Sequence, residues 1–231
     1  MIGGRRFGPA MVLVLVAITR PASAQDGPAL APLRFVLSAG VIAGGGYAVG
    51  DQTAELRRNA TGNPAPLPFF RTESTFEGSQ GFDARVDFAL TGSWAVEVGA
   101  AYSTPRLGVT VAADSEAAPG IQLAEEVSQY SVDVSGLWHL PWPSLGRRAR
   151  PYVIGGGGYL RQLHEDRLVA ETGGLLHVGG GVWLWFRGEA AAARAIGLRA
   201  EARLVRRSGG IEFDDSSRSY PAFSILGFLG L

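Results

Sequence analysis

The stretch Ile196-Gly197-Leu198-Arg199-Ala200-Glu201-Ala202-Arg203-Leu204 alternates without a break. Successive side chains of a strand point to opposite faces. Ile196, Leu198, Ala200, Ala202 and Leu204 therefore share one face, and Gly197, Arg199, Glu201 and Arg203 share the other. A sheet with one wet side shows this pattern. A closed barrel in a membrane shows it too, with lipid outside and polar groups within. The rest of the chain decides between them.

The same period recurs outward from this segment. Leu33 to Val49 places Phe35, Leu37, Ala39, Val41 and Ala43 opposite Arg34, Ser38, Gly40 and Gly44. Gly81 to Leu90 sets Phe82, Ala84, Val86 and Phe88 against Asp83, Arg85 and Asp87, and Thr91-Gly92-Ser93 turns the chain into Trp94 to Tyr102, which carries Glu97. Val127 to Leu140 carries Asp133, Ser135 and His139 on its polar face, and Pro141-Trp142-Pro143 ends it, since proline cannot donate to a ladder. Tyr152 to Gln162, Leu175 to Phe186, the opening stretch and Phe223 to Leu231 complete eight strands. Gly50 to Gln80 and Thr104 to Leu123 read as long polar loops; His164 to Thr172 and Ser208 to Ser219 are shorter ones.

Residues 1–24 of the 231 have the order of a secretory signal peptide: Arg5-Arg6, an apolar core from Ala10 to Ile18, then Ala22-Ser23-Ala24. That core is well short of the ~20 residues that span a bilayer as a helix. Residues 25–32 then form a periplasmic leader, and 33–231 form the barrel. The chain has 21 basic and 21 acidic residues, every basic one an arginine. Without Arg5, Arg6 and Arg20 the balance is 18 minus 21, or −3, which gives no basic surface for nucleic acid. With no cysteine, disulfides, thiol catalysis and cysteine-ligated metals are excluded. No apolar run of helical span follows the first 24 residues. A membrane-spanning mature chain must therefore be a closed barrel, because an open sheet edge leaves backbone groups unpaired in lipid.

Three features favour the membrane arrangement over a soluble, lipocalin-like barrel. Connections after the first, third and seventh strands are long and polar and those after the second and sixth are short, while Pro141 to Pro151 is no shorter than His164 to Thr172. Short turns at one end and longer loops at the other mark outer-membrane barrels and put both termini at the short-turn end. Trp94, Trp138, Trp142, Trp183 and Trp185, with Tyr152, gather near that end; Tyr47, Tyr102, Tyr130 and Tyr220 lie towards the other, as two interfacial belts would. The polar face carries Arg34, Arg85, Arg161, Arg199 and Arg203 against Asp83, Asp87, Glu97, Asp133 and Glu201, five of each sign. Buried charges persist when paired, and eight strands enclose a space that side chains can fill. The expected interior is a plugged ionic network made of these ten residues. The glycines of Gly155 to Gly158 are expected to leave room for neighbouring interior groups.

From Leu33 to Leu231 the chain resembles the small outer-membrane β-barrel proteins of the OmpA and OmpX type. The resemblance is carried by Arg150-Pro151-Tyr152-Val153-Ile154-Gly155-Gly156-Gly157-Gly158-Tyr159, by Gly179-Gly180-Gly181-Val182 and by Gly197-Leu198-Arg199-Ala200-Glu201. It implies an all-β, eight-stranded antiparallel up-and-down transmembrane barrel in the outer membrane of a Gram-negative-type envelope. The implied partners are outer-membrane lipid, lipopolysaccharide and, during biogenesis, the barrel-assembly machinery. The family usually ends on an aromatic residue, whereas this chain ends Gly230-Leu231.

Catalytic signals are weak. Lipid A deacylases on such barrels carry His-x-Ser-Asn, but His139 is followed by Leu140-Pro141-Trp142. Ser135 and His139 share a face but stand roughly 13 Å apart along a strand, so a triad would need a partner such as His177 from another strand. The three histidines lack metal-ligand spacing. Asp214-Asp215 and Glu125-Glu126 read as solvated loop acids. The expectation is a non-enzymatic barrel without cofactor or metal, with a structural or surface-contact role through its long loops. The alternatives are an OmpW-like small-molecule conduit, which needs an apolar lumen, and a soluble periplasmic ligand-binding barrel.

Overall fold

The computed structural model describes residues 35–56, 67–112, 122–141, 148–164, 169–187, 195–211 and 216–231. The expected signal peptide and leader, together with Arg34, Trp142 and Asp214-Asp215, lie outside the described residues. In chain order the strands are β1 (Phe35–Gly44), β2 (Tyr47–Leu56), β3 (Leu67–Phe76), β4 (Ser79–Ala89), β5 (Trp94–Ser103) and β6 (Arg106–Ala112). They continue with β7 (Gln122–Glu126), β8 (Ser128–His139), β9 (Ala149–Leu163), β10 (Ala170–Arg187), β11 (Ile196–Gly209) and β12 (Arg218–Gly230).

Eight of these strands close a barrel in the order β1-β12-β11-β10-β9-β8-β5-β4. Every pairing in it is antiparallel, and the last strand returns to the first, with Val36 opposite Gly230 and Gly44 opposite Ala222. Closure pairs the wall of a sheet that would otherwise have edges. The two stretches expected to be long polar loops instead hold four strands, β2-β3-β6-β7, in a second sheet. Its order repeats that of the barrel strands β1-β4-β5-β8 from which it continues, past breaks at 45–46, 77–78, 104–105 and 127. Exposed on this extension, Arg71 pairs with Asp51, which holds the Arg71 guanidinium above its ordinary range.

Alternation sets which side chains face which way. Phe82, Leu176, Val178, Phe223 and Ile225 are exposed on the wall, while Asp83, Arg85, Glu97, Arg199 and Glu201 are buried within it. An apolar exterior around a charged interior is the inverse of a soluble barrel, and it suits lipid. The soluble periplasmic alternative fails on this point.

The aromatic residues divide differently from the two belts expected. Trp94 and Trp138 stack on the outer wall with ring centroids 6.0 Å apart. Trp183 and Trp185 are 3% and 6% exposed and sit inside the barrel, as does Tyr152. They share the inward phase of His177 on β10, so their position is fixed by strand phase rather than by residue type.

At the other end an apolar cluster of Val49, Phe76, Leu107, Val127 and Ile211 roofs the lumen. Gly209 and Gly210, with φ of +75° and +85°, turn the chain so that Ile211 enters it.

Candidate functional site

The lumen is the site, and the strand register builds it in layers. In the middle, Glu97 from β5 and Glu201 from β11 are each shared by Arg85, Arg199 and Arg203. Arg85 Nη1 donates to Glu201 Oε1 at 2.6 Å, Arg199 Nη2 to Glu201 Oε2 at 2.5 Å and Arg203 Nη2 to Glu97 Oε1 at 2.7 Å. Arg199 Nη1 also donates to Glu97 Oε2. Around this core Asp83 accepts from Arg85, Asp87 from Arg199 and Asp133 from Arg203. Tyr152 lends its hydroxyl to Glu201 and receives Arg199 Nε at 2.6 Å. Buried charges at this density need such cross-satisfaction, since one unpaired member would carry its full desolvation cost.

Eight of the ten residues assigned to the interior from sequence therefore meet in one network, while Arg34 lies outside the described residues. Arg161 is exposed on the outer wall. On β9 the inward phase is that of Tyr152, Ile154, Leu160 and Gln162, and Gly155 to Gly158 hide it by giving neither face a side chain. Gln162 and Arg207 are interior residues that the sequence reading missed. Arg207 is fully buried beneath the roof and donates to Tyr47 OH, to Gln162 Oε1 at 3.1 Å and to the carbonyls of Gly209 and Ile211. The continuation of the opening stretch, Arg203-Leu204-Val205-Arg206-Arg207, carries the signal in its alternation.

Glycine lining makes room for these groups. A Cβ at Gly99 would lie 2.9 Å from Asp133 Oδ1, and one at Gly181 would strike the Tyr152 hydroxyl.

Between network and roof lies a chamber of about 60 Å³, lined by Ser79, Ser131, Asp133, His177, Arg203 and Tyr220 among others. His177 comes within 2.9 Å of Ser135 through its Nε2, the cross-strand meeting that β8 alone cannot provide. The same nitrogen faces Arg203 Nη1 at 3.1 Å, and Ser135 also donates to Asp133 Oδ2 at 3.0 Å. In a serine triad the acid holds the far ring nitrogen, leaving the near one free to take the serine proton. Here carboxylate, serine and guanidinium crowd one nitrogen. Among the described residues no cluster of three or more His, Asp or Glu is placed to hold a metal.

Towards the short-turn end, Trp183, Trp185, Phe228, Tyr152 and Leu137 pack as an apolar layer with Val36 and Ala95. Trp183 lies 4.6 Å from Phe228 and 6.2 Å from Trp185 between ring centroids, and the Arg199 guanidinium lies 5.4 Å from the Trp183 ring centre.

A single chain that closes eight antiparallel strands, shows lipid an apolar wall and pairs its charges inside is an eight-stranded outer-membrane β-barrel. It resides in the outer membrane, where barrels of this class are found. Among solved structures it is similar to the outer membrane protein OprG from Pseudomonas aeruginosa, with a TM-score of 0.46 and 11% identity over 84% of this chain and 93% of that one. It is also similar to Ail, the attachment invasion locus protein of Yersinia pestis, at a TM-score of 0.36 and 12% identity over 84% and 95%. The outer membrane protein AlkL, solved by solid-state NMR in DMPC bilayers, superposes at 0.33 with 17% identity over 93% and 94%. No protein-family model matches the chain, and no curated protein does. The neighbours are distant in sequence and superposition, so the geometry of this chain carries its own reading.

Proposed function

We propose that the protein is a non-catalytic, non-conducting barrel that anchors its four-stranded extension at the outer face of the membrane for a structural or surface-contact role. One observation carries this reading: Arg199 on β11 reaches Glu97 on β5, the strand diametrically opposite, within a network that fills the lumen. A conduit for apolar solutes needs an apolar path, and three arginines with five carboxylates across the bore oppose one. The roof and the tryptophan layer obstruct the same path at either end. Outer-membrane lipid and lipopolysaccharide surround the wall in this reading, and the barrel-assembly machinery inserts it.

Purified protein in a planar bilayer tests the plug. No discrete conductance steps are expected, and steps from the wild-type chain would replace this reading with the conduit. Orientation is read with the cysteine-free background. Thr53→Cys on the extension should react on intact cells with a membrane-impermeant maleimide, and Gly92→Cys in the β4–β5 turn should react only after permeabilisation. The opposite pattern overturns surface display.

A further inference from the structure

At the short-turn end the lumen holds a cavity of about 40 Å³ lined by Asp87, His139, Arg150, Trp183 and Trp185 among others. Three rings on its wall carry buried polar atoms that have no hydrogen-bond partner among the described residues: Trp183 Nε1, Trp185 Nε1 and His139 Nδ1. Both indoles are more than nine-tenths buried, and an indole N–H can only donate. The rings are neighbours, with Trp183 6.2 Å from Trp185 and 6.1 Å from His139 between centroids. Arg150, half-buried beside them, donates to the Gly92 carbonyl and has no carboxylate within ion-pair distance among the described residues. Asp87 supplies the carboxylate on this wall, and Arg199 engages both its oxygens at 3.4–3.5 Å.

Orphaned buried donors are rare in folded proteins and mark an unmet acceptor. Here two neutral donors and a guanidinium without a carboxylate partner border one small space. We infer that this pocket is a binding site for a small monovalent anion, of the size of formate or chloride. The guanidinium supplies charge and the two indole N–H groups supply direction, in surroundings where a charge-assisted hydrogen bond is strong. The volume is too small for a sugar or a nucleotide.

The five tryptophans give five indole N–H resonances, assigned by single Trp→Phe substitutions in the folded full chain in micelles. Sodium formate and sodium chloride are titrated separately at constant ionic strength, with sulfate, too bulky for the cavity, as the balancing anion. Saturable movement of the Trp183 and Trp185 peaks, with Trp94 and Trp138 still, is expected for one anion or both, and formate against chloride tells a carboxylate site from a halide site. Arg150→Gln should abolish the movement, and Arg150→Lys should retain it with several-fold weaker affinity; heat-modifiable gel mobility verifies that each variant is folded. The site is overturned if neither anion gives saturable shifts, if all indole peaks drift together, or if Arg150→Gln leaves the titration unchanged.

Discussion

Arg199 and Glu97 are 102 positions apart in the chain and joined across the full width of the barrel. Three strands lie between β11 and β5 in either direction around the closed order, so no pair of strands is further separated. The pair acts as a strut between opposite walls. Arg199 also holds Glu201 and Asp87, so its removal takes a guanidinium partner from three buried carboxylates at once.

Arg199→Ala should therefore destabilise the barrel by about 3–5 kcal/mol, the usual cost of leaving buried charge unpaired. Urea unfolding in micelles, followed by tryptophan emission, measures it. Combining Arg199→Met with Glu97→Gln should cost less than the sum of the two single changes, because charge leaves from both sides of the pair. Strict additivity would show that the strut is not a coupled unit.

The tryptophan layer, the ionic network and the roof lie in series along the lumen, and the proposed plug predicts a pattern of conductance. Opening the ionic layer with Arg199→Ala and Glu201→Ala should leave the bilayer silent, because the tryptophan layer and the roof remain. Trp183→Ala alone should be silent for the same reason. Steps from either variant would mean that its layer was the sole barrier.

Tryptophan accessibility to lipid separates the two environments. In bilayers with brominated acyl chains, a variant retaining only Trp94 or Trp138 should lose most of its emission, since these rings are exposed on the wall. A variant retaining only Trp183 or Trp185 should be little quenched. Equal quenching of all four would place the lumen tryptophans at the lipid surface.

The extension has its own small core, so it should open independently of the barrel. Phe76 is 1% exposed within it, and Phe76→Ala should remove about 3–5 kcal/mol from the roof cluster. Limited proteolysis should then cut within 47–76 or 106–126 faster, while the heat-modifiable mobility of the barrel is retained. Loss of both together would make roof and barrel one cooperative unit.

Much of this was legible in the chain because a strand's period is two. Ile196 to Leu204 states which residues share a face, and the same period in β4 and β5 places Asp83, Arg85, Asp87 and Glu97 together. Where the period is blank, the reading slips: four consecutive glycines conceal the phase of β9 and let Arg161 be assigned to the wrong face. Trp183 and Trp185 had a readable phase, that of His177, but their residue type suggested a lipid interface. The extension was hidden because Asp51-Gln52-Thr53 in β2 and Arg71-Thr72-Glu73-Ser74-Thr75 in β3 are polar on both faces and show no alternation. Its signal was length, since a structureless connection of 31 residues, from 50 to 80, is uncommon in a compact domain.

What the sequence determined by itself is the set of faces, since alternation is a local property of each strand. What the tertiary structure decided is who meets whom across the lumen. That Glu97 faces Arg199, that His177 reaches Ser135 and that two indoles line one cavity with Arg150 depends on inter-strand register and barrel closure. Those are relations between distant segments, set by backbone pairing around the whole ring, and no window of the chain contains them.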